Sequence, residues 1–107
     1  MTNSELYSIL DSTGLPVCYY APSVSGKNKL LPPCIVYYTK QSDNVSADNH
    51  VTVKFKQYIV ELYTAKKDEK SEQKLEDVLD ENRIFYDSYE SYIEDDSMFQ
   101  IAYEIEV

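Results

Sequence analysis

The sequence predicts an α+β fold: a mostly antiparallel sheet of about five strands with two short helices on one face, ordered α-β-β-β-α-β-β. Three observations predict it. Runs at 34–39, 58–63 and 98–107 alternate or are continuously apolar, as strands are. Segments 3–13 and 68–82 repeat their apolar residues at helical spacing. The last two strand-like runs are separated only by "EDDS", too short for a parallel crossover. The length suits a single domain spanning 1–107.

In the first helix, Leu6, Ile9 and Leu10 share one face. Asn3 or Ser4 can cap its start, Gly14 suits its end, and Pro16 prevents continuation. "PVCYYA" (16–21) reads as a strand. "PSVSGKNKLLPP" (22–33) reads as a loop whose Leu30 and Leu31 dock on the body. "CIVYYT" (34–39) is a strongly apolar strand. After a polar loop at 40–49 comes a long strand at 50–64. Val51, Val53 and Phe55 alternate in one phase and Tyr58, Val60 and Leu62 in the other, so a bulge or bend is expected near Lys56–Gln57.

Asp68 is the expected N-cap of the second helix, and Leu75, Val78 and Leu79 form its only apolar stripe. The hairpin 84–93 and 98–107 closes the chain. Phe99, Ile101, Tyr103, Ile105 and Val107 lie on one face of the last strand, with Gln100, Ala102, Glu104 and Glu106 on the other. In the long strand, Ile59 and Tyr63 point away from Tyr58, Val60 and Leu62, so both faces of the sheet read as largely apolar. Two short helices cover one face. The remaining apolar surface must be covered by sheet curvature, by the 22–33 loop or by another chain, and another chain is the favoured cover.

The net charge is −9. Residues 1–60 carry five lysines and four acids. Residues 61–107 carry five bases and fifteen acids, and nothing basic follows Arg83. Such a surface repels phosphate, so neither nucleic-acid binding nor attachment to an anionic membrane is expected. There is no signal-peptide pattern and no run of transmembrane length, so the expected compartment is a cytoplasm. Cys18 and Cys34 read as two small buried hydrophobes. Eleven tyrosines against three phenylalanines suit either strand propensity or surfaces that a complex buries.

The residues point to no catalytic site, no metal and no cofactor. His50 is the single histidine, there is no C-x-x-C or H-E-x-x-H, and two glycines cannot build a phosphate-cradling loop. "DNVSADN" has acids and amides but lacks the central Gly and terminal Glu of a calcium loop. The chain reads as non-enzymatic.

Four stretches carry a resemblance. They are "LYSILDSTGLPVCYY", "PPCIVYYTKQSDNVSADNHV", "YIVELYTAKKDEKSEQKLEDVLDEN" and "YESYIEDDSMFQIAYEIEV". Together they span nearly the whole chain and resemble the small tail completion, or tail terminator, proteins encoded in head–tail joining gene clusters of long-tailed phages and prophages of Gram-positive bacteria. The resemblance implies a virion structural protein that forms a ring, commonly a hexamer, at the top of the tail tube. It implies tail tube protein and a head-completion or connector protein as partners, with assembly in the host cytoplasm. Contacts beyond the sheet are expected at Asp43, Asn44, Asp48 and Asn49, at Tyr63, Tyr89 and Tyr92, and at Glu94, Asp95 and Asp96. A second reading is a soluble acidic module that mimics DNA to inhibit a basic protein. Lys66, Lys67, Lys70 and Lys74 interrupt the acids of the second helix and spoil such an array.

Overall fold

A computed structural model describes residues 1–20, 31–40 and 57–107. Its elements are α1 (Asn3–Asp11), β1 (Val17–Tyr19), β2 (Cys34–Thr39), β3 (Gln57–Thr64), α2 (Glu69–Glu81), β4 (Tyr86–Ile93) and β5 (Met98–Glu106). The strands form one sheet in the order β1-β2-β3-β5-β4. β1 runs parallel to β2, and every other pair is antiparallel. The expected element order and α+β class are therefore present, in a mixed sheet. The long connection between β1 and β2 permits their parallel crossover. β5 lies between β3 and β4, so β3-α2-β4 is a split βαβ unit. His50, the loop acids and the expected bulge near Lys56 lie outside the described residues.

Both helices are set by local chemistry. Thr2, rather than Asn3 or Ser4, caps α1, its hydroxyl accepting from the Glu5 N–H at 3.1 Å. Asn3 is used elsewhere: its Oδ1 accepts from the Tyr37 hydroxyl at 2.7 Å. The helix stops at Asp11, two residues short of expectation, and the chain turns through Gly14 at φ 83°. Asp68 caps α2 as the sequence predicts, accepting from the Ser71 N–H at 3.1 Å and its hydroxyl at 2.8 Å. These bonds hold the Asp68 carboxyl below its ordinary value.

The C-terminus of α2 is a Schellman motif: Ile84 N–H bonds Leu79 C=O at 2.9 Å, and Arg83 N–H bonds Asp80 C=O at 3.0 Å. Arg83 occupies the left-handed position at φ 56°. A non-glycine residue there costs of order 1–3 kcal/mol, partly offset in glycine by a more flexible unfolded chain. Arg83→Gly is expected to stabilise the fold by about 1 kcal/mol, read as a raised urea midpoint at unchanged slope.

The core lies between the helices and one face of the sheet. Leu6, Leu10, Leu75 and Leu79 close over Ile35, Tyr37, Tyr58, Val60, Leu62, Ile101, Tyr103 and Ile105. Ile9 and Val78 are half-buried at its margin. Tyrosine serves here because its ring packs while its hydroxyl reaches a helix. Glu76 of α2 accepts from Tyr103 at 2.9 Å and from Tyr86 at 3.3 Å. With the Tyr37–Asn3 bond, these contacts place both helices on the same face.

Candidate self-association surface

The opposite face of the sheet carries Cys18, Cys34, Val36, Tyr38, Ile59, Glu61, Tyr63, Gln100, Ala102 and Tyr89, as strand register requires. It is less apolar than the alternation of β3 suggests, because Glu61 and Gln100 stand near its centre. Gln100 donates its amide to the Glu61 carboxylate and to the Tyr63 hydroxyl, the latter at 3.1 Å. Burial raises the Glu61 carboxyl above its ordinary value, opposed by hydrogen bonding from Tyr63 and Tyr38. Burial, then the Glu61 charge, pushes Tyr63 up to about 12. Cys34 and Val36 are buried. Cys18 is only half-buried, contrary to expectation, because it sits on a strand at the edge of the sheet formed by the described residues. Burial and then the nearby Cys18 raise the Cys34 thiol.

A carboxyl raised on folding contributes stability that is complete below its unfolded value, about 4.5 here, and is lost as pH rises through the folded value. Ionised Glu61 therefore opposes folding at neutral pH. Glu61→Gln keeps an acceptor for Gln100. It is expected to raise the melting temperature by a few degrees at pH 7 and to match the unsubstituted protein near pH 4.

The two sheet edges differ. At the β1 edge, tyrosine rings wrap around the sheet. Tyr19 lies 5.0 Å from Tyr37 on the helix side, Tyr20 lies 4.8 Å from Tyr19, and Tyr20 stacks 6.0 Å from Tyr38 on the far side. Tyr19 and Tyr20 remain substantially exposed. Leu31, expected to dock on the body, is instead 76% exposed. At the other edge, β4 is exposed from Asp87 to Tyr92. Just before it, Phe85 is 91% exposed. A cleft of about 330 Å³ opens beside Phe85, with Lys40, Asp87, Glu104 and Glu106 in its wall.

The sequence-predicted contact residues fall into separate groups. Tyr63 and Tyr89 share the far face, Tyr63 half-buried and Tyr89 57% exposed. Tyr92 lies on the helix side, its ring 5.0 Å from Phe99. Glu94, Asp95 and Asp96 form one exposed 3₁₀ turn, closed by Ser97 in the left-handed region. Asp43, Asn44, Asp48 and Asn49 lie outside the described residues. Sequence reasoning missed Phe85, because 84–93 reads as one strand from its first residue. The helix stop takes Ile84 into the core, and β4 begins only at Tyr86, which leaves Phe85 outward. An apolar residue just after a helix end was the available signal.

Among the described residues, no group of three or more His, Cys, Asp and Glu is placed to hold a metal. No described helix is long and apolar enough to cross a membrane. Neither a family model, nor a curated protein, nor a solved structure matches this chain.

Proposed function

We propose that this chain is a structural protein of a tailed phage or prophage, completing the tail tube and joining it to the head through ring-forming self-association. The observation that carries the reading is the exposure of large apolar side chains along both edges of the described sheet: Phe85 and Tyr89 at the β4 edge, Tyr19 and Tyr20 at the β1 edge. Isolated apolar residues on a surface are ordinary, but their grouping along unpaired edges suits contact with further copies. The sequence resemblance supplies the context: a ring, commonly hexameric, between tail tube protein and a head-completion or connector protein in the virion.

Deletion of the gene tests the role. The expected phenotype is full heads beside unjoined tails of normal or excessive length. Normal joined particles contradict it. Tight, salt-sensitive capture of a basic host protein by a monomeric chain supports the acidic-module reading instead, which draws on the same carboxylate excess.

A further inference from the structure

We propose that β4 pairs antiparallel with β4 of a second copy, about a two-fold axis at Tyr89, and so joins two sheets into one. The inference rests on the self-association reading and specifies one contact within it. Among the described residues, no strand pairs with the outer side of β4. The strand is exposed from Asp87 to Tyr92. It contains no Pro, Lys or Arg, the residues that ordinarily guard a free edge. Phe85, Tyr89 and Tyr92 are all exposed in the single chain, and one contact along this edge covers them together.

The side chains along this edge are self-complementary. Residues 86–92 read Tyr-Asp-Ser-Tyr-Glu-Ser-Tyr. In an antiparallel pair centred on Tyr89, that ring faces its own copy, and Tyr86 faces Tyr92 of the second copy. Asp87 then faces Ser91, and Glu90 faces Ser88, so each carboxylate meets a hydroxyl able to donate to it. One step further out, Phe85 faces Ile93. Opposed residues in such a pair interact directly, and like charges set opposite each other destabilise it. The neighbouring registers that keep both copies' helices on one side match less well. Centring on Glu90 sets that carboxylate against itself. Centring on Ser88 sets Asp87 against Tyr89 and Glu90 against Tyr86. Lys67 is ion-paired with Glu90 and offsets its charge at the edge. A two-fold contact closes on itself, so further growth falls to another surface, and a ring that contains this contact holds an even number of copies.

Exchanging two side chains tests the register. Ser91→Asp sets an acid against Asp87 at two places in the contact. Sedimentation velocity in moderate salt, where repulsion between the acidic copies is screened, should show this variant associating about tenfold more weakly than the parent. Asp87→Ser combined with Ser91→Asp keeps the net charge, again sets serine against acid, and should restore the parental association. Both positions are exposed, and circular dichroism confirms that each variant folds. In a background carrying Cys18→Ala and Cys34→Ala, Tyr89→Cys alone should give a disulfide-linked dimer on oxidation, because facing Cα atoms of a strand pair lie within disulfide reach. Tyr92→Cys alone should not, because it faces Tyr86. The β4 pairing is overturned, and self-association left standing, by an oligomeric parent whose Ser91→Asp variant associates equally well, whose exchanged variant stays weak, or whose Tyr89→Cys variant does not cross-link. A parent that stays monomeric at every concentration, even with tail tubes, overturns both this pairing and the function on which it rests.

Discussion

Truncation of Leu75 or Leu79 to alanine is expected to lower the unfolding free energy by about 2–5 kcal/mol each. Both side chains are 0% exposed and belong to the core cluster. α2 has few apolar residues, so each carries a large share of what holds the helix to the sheet. Removing one loses the transfer free energy of the side chain and leaves a cavity between helix and strands. The ring of Tyr103, in the same core cluster, cannot simply collapse into it, because its hydroxyl is tied to Glu76 on the same helix. Domains of this size are stable by only about 5–15 kcal/mol, so one such change removes a substantial fraction. Val78, half-buried at the margin, should cost less, about 1 kcal/mol. Urea titration checks all three. A loss below about 0.5 kcal/mol at Leu75 or Leu79 would mean that this helix does not cover the sheet.

Raising the pH above about 10 is expected to unfold the protein cooperatively. Six tyrosines, Tyr37, Tyr38, Tyr58, Tyr63, Tyr86 and Tyr103, have hydroxyls raised above their ordinary value, in each case mainly by burial. At Tyr103 and Tyr86 the Glu76 carboxylate adds to the effect, and at Tyr38 and Tyr63 Glu61 does so. A group whose folded value is raised stabilises fully below its unfolded value and stops doing so as pH climbs through the folded one. Stability should be flat with respect to tyrosine ionisation below about pH 9 and fall steadily above about pH 10. Tyrosinate absorbance for these residues should then rise together with the loss of far-ultraviolet dichroism. Complete ionisation of all eleven tyrosines with the sheet intact would contradict the packing described.

Most of the fold was legible in the sequence, for identifiable reasons. Val60 and Leu62, and likewise Ile101, Tyr103 and Ile105, keep a strict two-residue period, so the buried face of β3 and β5 could be read directly. Asp68 precedes a charged helix with one apolar stripe, and the cap forms where expected. Boundaries were harder to read. Arg83 sits in a conformation that glycine usually marks, so the end of α2 gave no signal at that position. The parallel pairing of β1 with β2 leaves no trace in either strand, because it depends on the long connection between them.

The candidate surface was only partly legible. Tyr63 and Tyr89 were expected at contacts and share a face, but alternation sends Tyr92 to the other side. Glu61 was visible as a polar interruption of β3. Its bond to Gln100 depends on β5 being the neighbour, a pairing across 39 residues that local pattern does not encode. Phe85 owes its exposure to the helix end before it. Interfaces of this kind are properties of edges, and edges are defined only once every strand has found its neighbours.

Native mass across a wide concentration range, with and without isolated tail tubes, tests the central claim most directly. The claim is that exposed aromatic side chains along the sheet edges are covered by copies of the same chain. A closed oligomer of fixed stoichiometry, alone or on the tube end, is the expected result. A monomer at every concentration that leaves the tubes unoccupied would contradict it.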